Sequence, residues 1–140
     1  MTPAPEPQAA IGAKRILVVE DELMIRMLLE DMLAELGYTI AAEAARLDEA
    51  LEAARIADFD IAILDVNLSG QPISPVADAL AARGTPFVFA TGYGERGVPD
   101  TYRDRPALKK PFQLDTLKRT LQSALDGADS AHPGFSGRKV

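Results

Sequence analysis

The chain has 140 residues, a formal net charge of −6, 47% hydrophobic residues, no cysteine and a single histidine, His132. That is the length of one domain able to bury its own core, and it excludes disulfides, thiolate metal sites, cysteine nucleophiles and chemistry needing several imidazoles. The acidity argues against nucleic acid as a partner, because phosphate contacts need a basic face, so the expected chemistry runs on carboxylates, hydroxyls and lysines.

Met1 to Gln8 carries prolines at 3, 5 and 7 and no apolar run, so no signal peptide is read there. Residues 1–13 are expected to be a disordered leader. The apolar runs that follow are strand-sized, far short of the roughly 18 residues of a membrane span, so no membrane association and a cytoplasmic location are expected. Ile16-Leu17-Val18-Val19 reads as a strand covered on both faces. Leu23 to Leu36 reads as a helix, with Ile25, Leu28, Leu29, Met32 and Leu36 on its apolar face and Gly37 placed to end it. Tyr38 to Ala42 is a weaker strand. Leu47 to Ala57 is an alanine-rich helix with Leu47, Leu51 and Ala54 inward, and Ile61-Ala62-Ile63-Leu64 is another fully apolar strand.

Asn67 to Ile73 reads as a Ser/Gly/Pro loop, after which Ser74-Pro75 suits the cap and first position of a helix that Gly84 ends. Phe87 to Ala90 is a strand and Ala107-Leu108 a very short one. Between them, Gly92 to Pro106 holds glycines at 92, 94 and 97 and prolines at 99 and 106, with no three–four apolar spacing. A short or irregular, mobile element is expected where a fourth helix would stand. Leu114, Leu117, Leu121 and Leu125 give the last helix its stripe. The folded domain is expected over 14–126, and 127–140 as a flexible tail in which His132 is solvated. No output domain is expected in the roughly 13 residues after Gly127. Alternation of buried strands with helices implies an α/β, flavodoxin-like, doubly wound sheet of five parallel strands in the order 2-1-3-4-5. Ligands in that architecture sit outside the carboxyl ends of the strands.

Those ends carry complementary groups: Glu20-Asp21 after the first strand, Asp65 after the third, Thr91 after the fourth and Lys110 after the last. Clustered carboxylates call for a hard oxygen-loving cation, Mg²⁺ above all. A metal beside a lysine and a threonine makes a phosphoryl site, and Asp65 is the nucleophile candidate because a carboxylate can accept a phosphoryl group as an acyl phosphate.

Over roughly Lys14 to Leu125 the chain resembles the receiver domain of two-component response regulators. The resemblance is carried by LVVEDE at Glu20-Asp21, ILDVNL at Asp65, FATG at Thr91 and KKPF at Lys110. It implies that Asp65 is the phosphoacceptor, and that Asp21 and Asp65 bind Mg²⁺ directly, Glu20 through water and Asn67 through its backbone carbonyl. It further implies that Thr91 and Lys110 contact the phosphoryl group, that Lys109 points elsewhere and that the Lys110-Pro111 bond is cis. Phe89-Ala90-Thr91-Gly92-Tyr93 is similar to the signature of the stand-alone FATGUY receivers, which implies a sensor histidine kinase of the HWE type as donor, an unidentified downstream protein, and a monomer or weak dimer.

The family's aromatic three residues before the lysine is Ala107 here. Phosphorylation is therefore expected to act by ordering 92–106 through Thr91 and the amides near Gly92, and Tyr93 is a candidate for the missing ring. A receiver that is never phosphorylated is the main rival reading. A haloacid-dehalogenase-like hydrolase needs a second acid two residues after the nucleophile, where Asn67 stands. A nucleotide-binding flavodoxin-like domain lacks its Gly-rich loop after the first strand.

Overall fold

A computed structural model of the chain describes residues 13–92 and 97–130. The leader up to Gly12, Tyr93 and His132 lie outside the described residues. The elements alternate as the apolar runs predict: β1 (Arg15–Val19), α1 (Leu23–Glu35), β2 (Thr39–Ala44), α2 (Leu47–Ile56), β3 (Ile61–Asp65), β4 (Asn67–Leu68), β5 (Gln71–Pro72), α3 (Ser74–Arg83), β6 (Phe87–Thr91), a 3-10 turn (Asp100–Tyr102), β7 (Ala107–Lys109) and α4 (Leu114–Ser130). Five strands form one sheet, ordered β2-β1-β3-β6-β7, and all of its pairings are parallel. With the small β4–β5 hairpin set aside, this is the expected order 2-1-3-4-5.

Strand alternation divides the core between the two faces of the sheet. Leu17, Val19, Ala62, Leu64, Phe87 and Phe89 pack with α2, α3 and the 3-10 turn. Ile16, Val18, Ile61, Ile63, Val88 and Ala90 pack with α1 and α4. β3 is buried along its whole length. Truncating one such side chain, Leu64→Ala for instance, would cost about 2–5 kcal/mol.

Several local expectations are corrected. The buried face of α1 is Leu29, Met32 and Leu33, with Ile25 and Leu36 packed beside it, while Leu28 is 44% exposed. Positions 25, 29, 32, 33 and 36 cluster around one direction of the helix, and 28 falls about 80° from the centre of that stripe, beyond its edge. Ser74 is the first helical residue of α3, and Ile73 holds the cap position without a side-chain cap. The segment 67–73 is a short antiparallel hairpin, not a plain loop. α4 runs through Gly127 to Ser130, past residue 126 where the last helix is expected to stop. A glycine costs a helix only about 1 kcal/mol, and the buried Leu117, Leu121 and Ala124 anchor the turns before it. Among the described residues of 92–106 there is no α-helix. No helix among them is long and apolar enough to cross a membrane.

The two helices on the Phe87/Phe89 side are tied by Arg83. Its guanidinium donates to the carbonyls of Ala54 and of Ala57, the latter at 3.2 Å, and stacks 5.0 Å from the Phe59 ring. It thereby caps carbonyls that the end of α2 leaves unpaired. Arg83→Ala should lower unfolding free energy by about 1–2 kcal/mol, read from urea denaturation, with no change in the phosphoryl chemistry proposed below.

Candidate functional site

Parallel pairing brings the strand ends together on one rim. β3 lies between β1 and β6, which centres Asp65, and β7 pairs with β6 on the far side. Backbone hydrogen bonds lock the ends: Val66 N–H to Ala90 O at 3.1 Å and Lys110 N–H to Thr91 O at 2.9 Å. The rim holds a cleft of about 410 Å³ whose lining includes Asp21, Asp65, Asn67, Thr91 and Lys110. Glu20 is buried beneath it and 1% exposed. Lys109 is exposed, and the Lys110-Pro111 bond is cis. The sequence-derived set Glu20, Asp21, Asp65, Asn67, Thr91 and Lys110 therefore converges.

Lys110 Nζ lies 3.0 Å from Glu20 Oε1 and 3.4 Å from Asp65 Oδ2. Glu20 is held from three sides. Its Oε2 accepts from the Glu22 amide at 3.2 Å, and Arg26 Nη1 donates to its carbonyl at 3.1 Å. Asn67 N–H donates to Asp65 Oδ1 at 3.2 Å. Carboxylate oxygens of Glu20, Asp21 and Asp65 lie within 4.8 Å of one another.

Burial is the main force on the charges. It pushes the Glu20 carboxyl up to about 7, with the Asp65 charge adding and Lys110 opposing. Asp65 is raised for the same first reason, against the Asn67 amide and Lys110. At Lys110, burial disfavours the ammonium, but Glu20 and Asp65 outweigh it and raise its pKa. Burial likewise disfavours the Asp21 carboxylate, yet hydrogen bonds led by the Ser69 hydroxyl win and hold Asp21 below its usual range.

This is the donor set a hard divalent cation requires. Three carboxylates come within 4.8 Å of one another, and Glu20 Oε1 is buried 3.0 Å from the Lys110 ammonium with no hydrogen bond counted to it among the described residues. All-oxygen ligands in a site that one ammonium incompletely neutralises fit Mg²⁺.

Four residues at or beside the site escaped the sequence reading. Arg26 braces the acidic loop, and its side chain also lies 3.6 Å from Glu43. Ser69 binds Asp21 from the hairpin turn. Gly97 lies so close to Thr91 that a Cβ there would overlap its Oγ1. Tyr102 is buried edge-on against Phe87 at 5.4 Å, joins the core that Ala107 borders, and donates its hydroxyl to Asp78 of α3. A ring is thus supplied from the 3-10 turn on the sheet face where Ala107 offers none. The Tyr in a Pro-Asp-Thr-Tyr run was the available signal.

The comparisons with known proteins agree with this architecture. The family profile described as the response regulator receiver domain matches residues 16–122. The chain belongs to that family. It is similar to the transcriptional regulatory protein PdtaR of Mycobacterium tuberculosis, 34% identical over 127 residues, 88% of this chain and 62% of that protein. It is also similar to the phyllosphere-induced regulator PhyR of Methylorubrum extorquens, 33% identical over 128 residues, 88% of this chain and 48% of that protein. The chain therefore spans about half to three fifths of the length of these curated relatives. The solution structure of SdrG from Sphingomonas melonis Fr1 superimposes with a TM-score of 0.73 at 46% identity, covering 81% of this chain and 97% of that one.

Proposed function

We propose that this receiver accepts a phosphoryl group onto Asp65 from the phosphohistidine of a sensor histidine kinase, in a Mg²⁺-dependent reaction, and then signals through protein contacts or drains phosphate. The observation that carries the reading is the meeting of Asp65 with Lys110 at 3.4 Å and with the Glu20 and Asp21 oxygens within 4.8 Å. An Asp65 oxygen attacks phosphorus, the P–N bond to the donor imidazole breaks, the imidazole leaves, and an acyl phosphate remains. Asp21 and Asp65 would hold Mg²⁺ directly, Glu20 through water and Asn67 through its carbonyl. Bound Mg²⁺ supplies charge neutralisation on the transferring oxygens. Lys110 exchanges its carboxylate partners for a phosphoryl oxygen, and Thr91 donates its hydroxyl to another.

The domain would catalyse only its own phosphorylation and dephosphorylation. Exposed Leu23, Met24, Met27 and Leu28 form an apolar row on α1 next to Glu22 at the cleft mouth, where a donor protein could lie. An HWE-type kinase is the donor that the Phe89–Tyr93 resemblance favours. The downstream protein would meet the face around 92–109 and α4. Within 97–106, Val98 and Tyr102 anchor the segment in the core, 4% and 8% exposed. Over residues 97–106 phosphorylation would act through the formed Thr91–Gly97 contact.

Acetyl phosphate with Mg²⁺ should add one labile phosphoryl group to the wild type by intact mass, and none to Asp65→Asn or in excess chelator. Absence of any adduct would overturn the reading in favour of an interaction module. Steady phosphate release from many substrates would favour a hydrolase.

A further inference from the structure

The β4–β5 hairpin touches the acidic cluster at two points. Its first residue, Asn67, gives its amide to Asp65 Oδ1 at 3.2 Å. Its turn residue, Ser69, gives both backbone N–H at 3.1 Å and hydroxyl at 2.9 Å to one oxygen of Asp21, Oδ2. Ser69 makes this double contact because its backbone is left-handed, with φ of +53°. Few non-glycine residues adopt that conformation, and short polar ones tolerate it best. The turn is fixed by Asn67 Oδ1 accepting from the Gly70 amide at 2.8 Å. Its flanks are pinned by Leu68 and Ile73, both fully buried. The hairpin is thus anchored in the core and presents two donors to a single carboxylate oxygen.

From this geometry we infer that Ser69 is a positioning and specificity-determining residue for the cation site: it commits Asp21 Oδ2 to the hairpin and leaves Oδ1 as the one oxygen Asp21 can offer. The inference rests on the reading of Glu20, Asp21 and Asp65 as Mg²⁺ ligands. One-oxygen ligation favours Mg²⁺, which demands a compact octahedron, over Ca²⁺, which accepts both oxygens of a carboxylate and more ligands. Partners that orient a metal ligand commonly set affinity by about 10–100-fold. Ser69 touches no cation in this scheme and acts only through Asp21.

The test is calorimetric titration of the full chain with Mg²⁺ and, separately, with Ca²⁺. Ser69→Gly is the informative variant, because glycine adopts the same backbone without strain and keeps the N–H donor. It should bind Mg²⁺ about tenfold more weakly, with little or no loss for Ca²⁺, so the preference for Mg²⁺ narrows while the thermal midpoint of the metal-free protein holds. Equal weakening for both cations would mark Ser69 as structural and overturn the inference, as would unchanged binding of both. Asp21→Asn separates the premise from the inference. If it keeps wild-type Mg²⁺ affinity, the ligand assignment itself fails. If it loses affinity while Ser69→Gly changes nothing, only the role of Ser69 fails.

Discussion

Glu20→Gln should make the metal-free protein more stable at pH 8 and, in Mg²⁺, less stable than the wild type. Glu20 is 1% exposed, and its carboxyl titrates at about 7, against an ordinary 4.5. A raised acid pKa means the folded state holds its proton longer than the unfolded state does. The stabilisation is complete below the unfolded value and is lost as pH climbs through the folded one. Metal-free wild type should therefore lose stability between about pH 4.5 and pH 7, by on the order of 3 kcal/mol. Asp65, raised in the same direction by burial, adds to that slope. Glutamine keeps the shape and removes the charge, so the variant's profile flattens. Part of the gain is offset because Lys110 loses the charge of its 3.0 Å neighbour and keeps only that of Asp65. A rise in thermal midpoint of about 5 °C at pH 8 is the expected net effect. Saturating Mg²⁺ stabilises whichever protein binds it, in proportion to the logarithm of affinity. The variant, one carboxylate short, gains little, and the two melting curves exchange order. Melting scans in EDTA and in Mg²⁺, each at pH 5 and pH 8, check both halves. A variant less stable than wild type in EDTA at pH 8 would contradict the argument.

The fold was legible because parallel strands buried on both faces leave unbroken apolar runs, and Ile16–Val19, Ile61–Leu64 and Phe87–Ala90 are of that kind. The rim followed from topology: once the strand order was known, residues just past each run had to meet. Legibility failed where contact depends on backbone conformation, not on pattern. Ser69 reaches Asp21 through a left-handed turn, 48 residues away along the chain. No periodicity announces such a contact. Leu28 and Leu33 are equally apolar, and only the phase of the helix decides that one is exposed and the other buried. Tyr102 sits in a stretch of glycine, proline and charge that looks like loop, yet it is buried. Its burial is organised by neighbours: the Asp78 carboxylate takes its hydroxyl, and the Arg105 guanidinium lies 4.3 Å over the Phe87 ring and 5.8 Å over Tyr102.

Gly97→Ala should destabilise the protein by about 1–3 kcal/mol, although glycine to alanine is otherwise often neutral or favourable. An added Cβ would overlap Thr91 Oγ1 and stand 3.1 Å from Thr91 Cβ and 3.6 Å from a Val66 methyl. Thr91 cannot swing away freely, because it is 1% exposed at the end of a fully buried strand. The segment that carries Gly97 must lift instead. It is held down by Val98 and Tyr102 in the core, by Arg103 donating to Val98 O at 3.1 Å, and by the Tyr102–Asp78 hydrogen bond. Relieving the clash therefore costs packing on the Phe87/Phe89 face. Thr91→Ala removes the overlapping oxygen and leaves the milder 3.1 Å contact, so the double variant Gly97→Ala/Thr91→Ala should recover most of the loss. A coupling energy of about 1 kcal/mol or more is expected from the cycle, measured by urea unfolding. Simple additivity would show that Gly97 and Thr91 do not press on each other. Gly97→Ala changes none of Asp65, Asp21 and Lys110, so it should still take a phosphoryl group from acetyl phosphate. What it should lose is the change in amide exchange over 97–106 that a beryllofluoride mimic produces in the wild type. With the segment that carries Gly97 already lifted off Thr91, phosphorylation has no formed contact left to break.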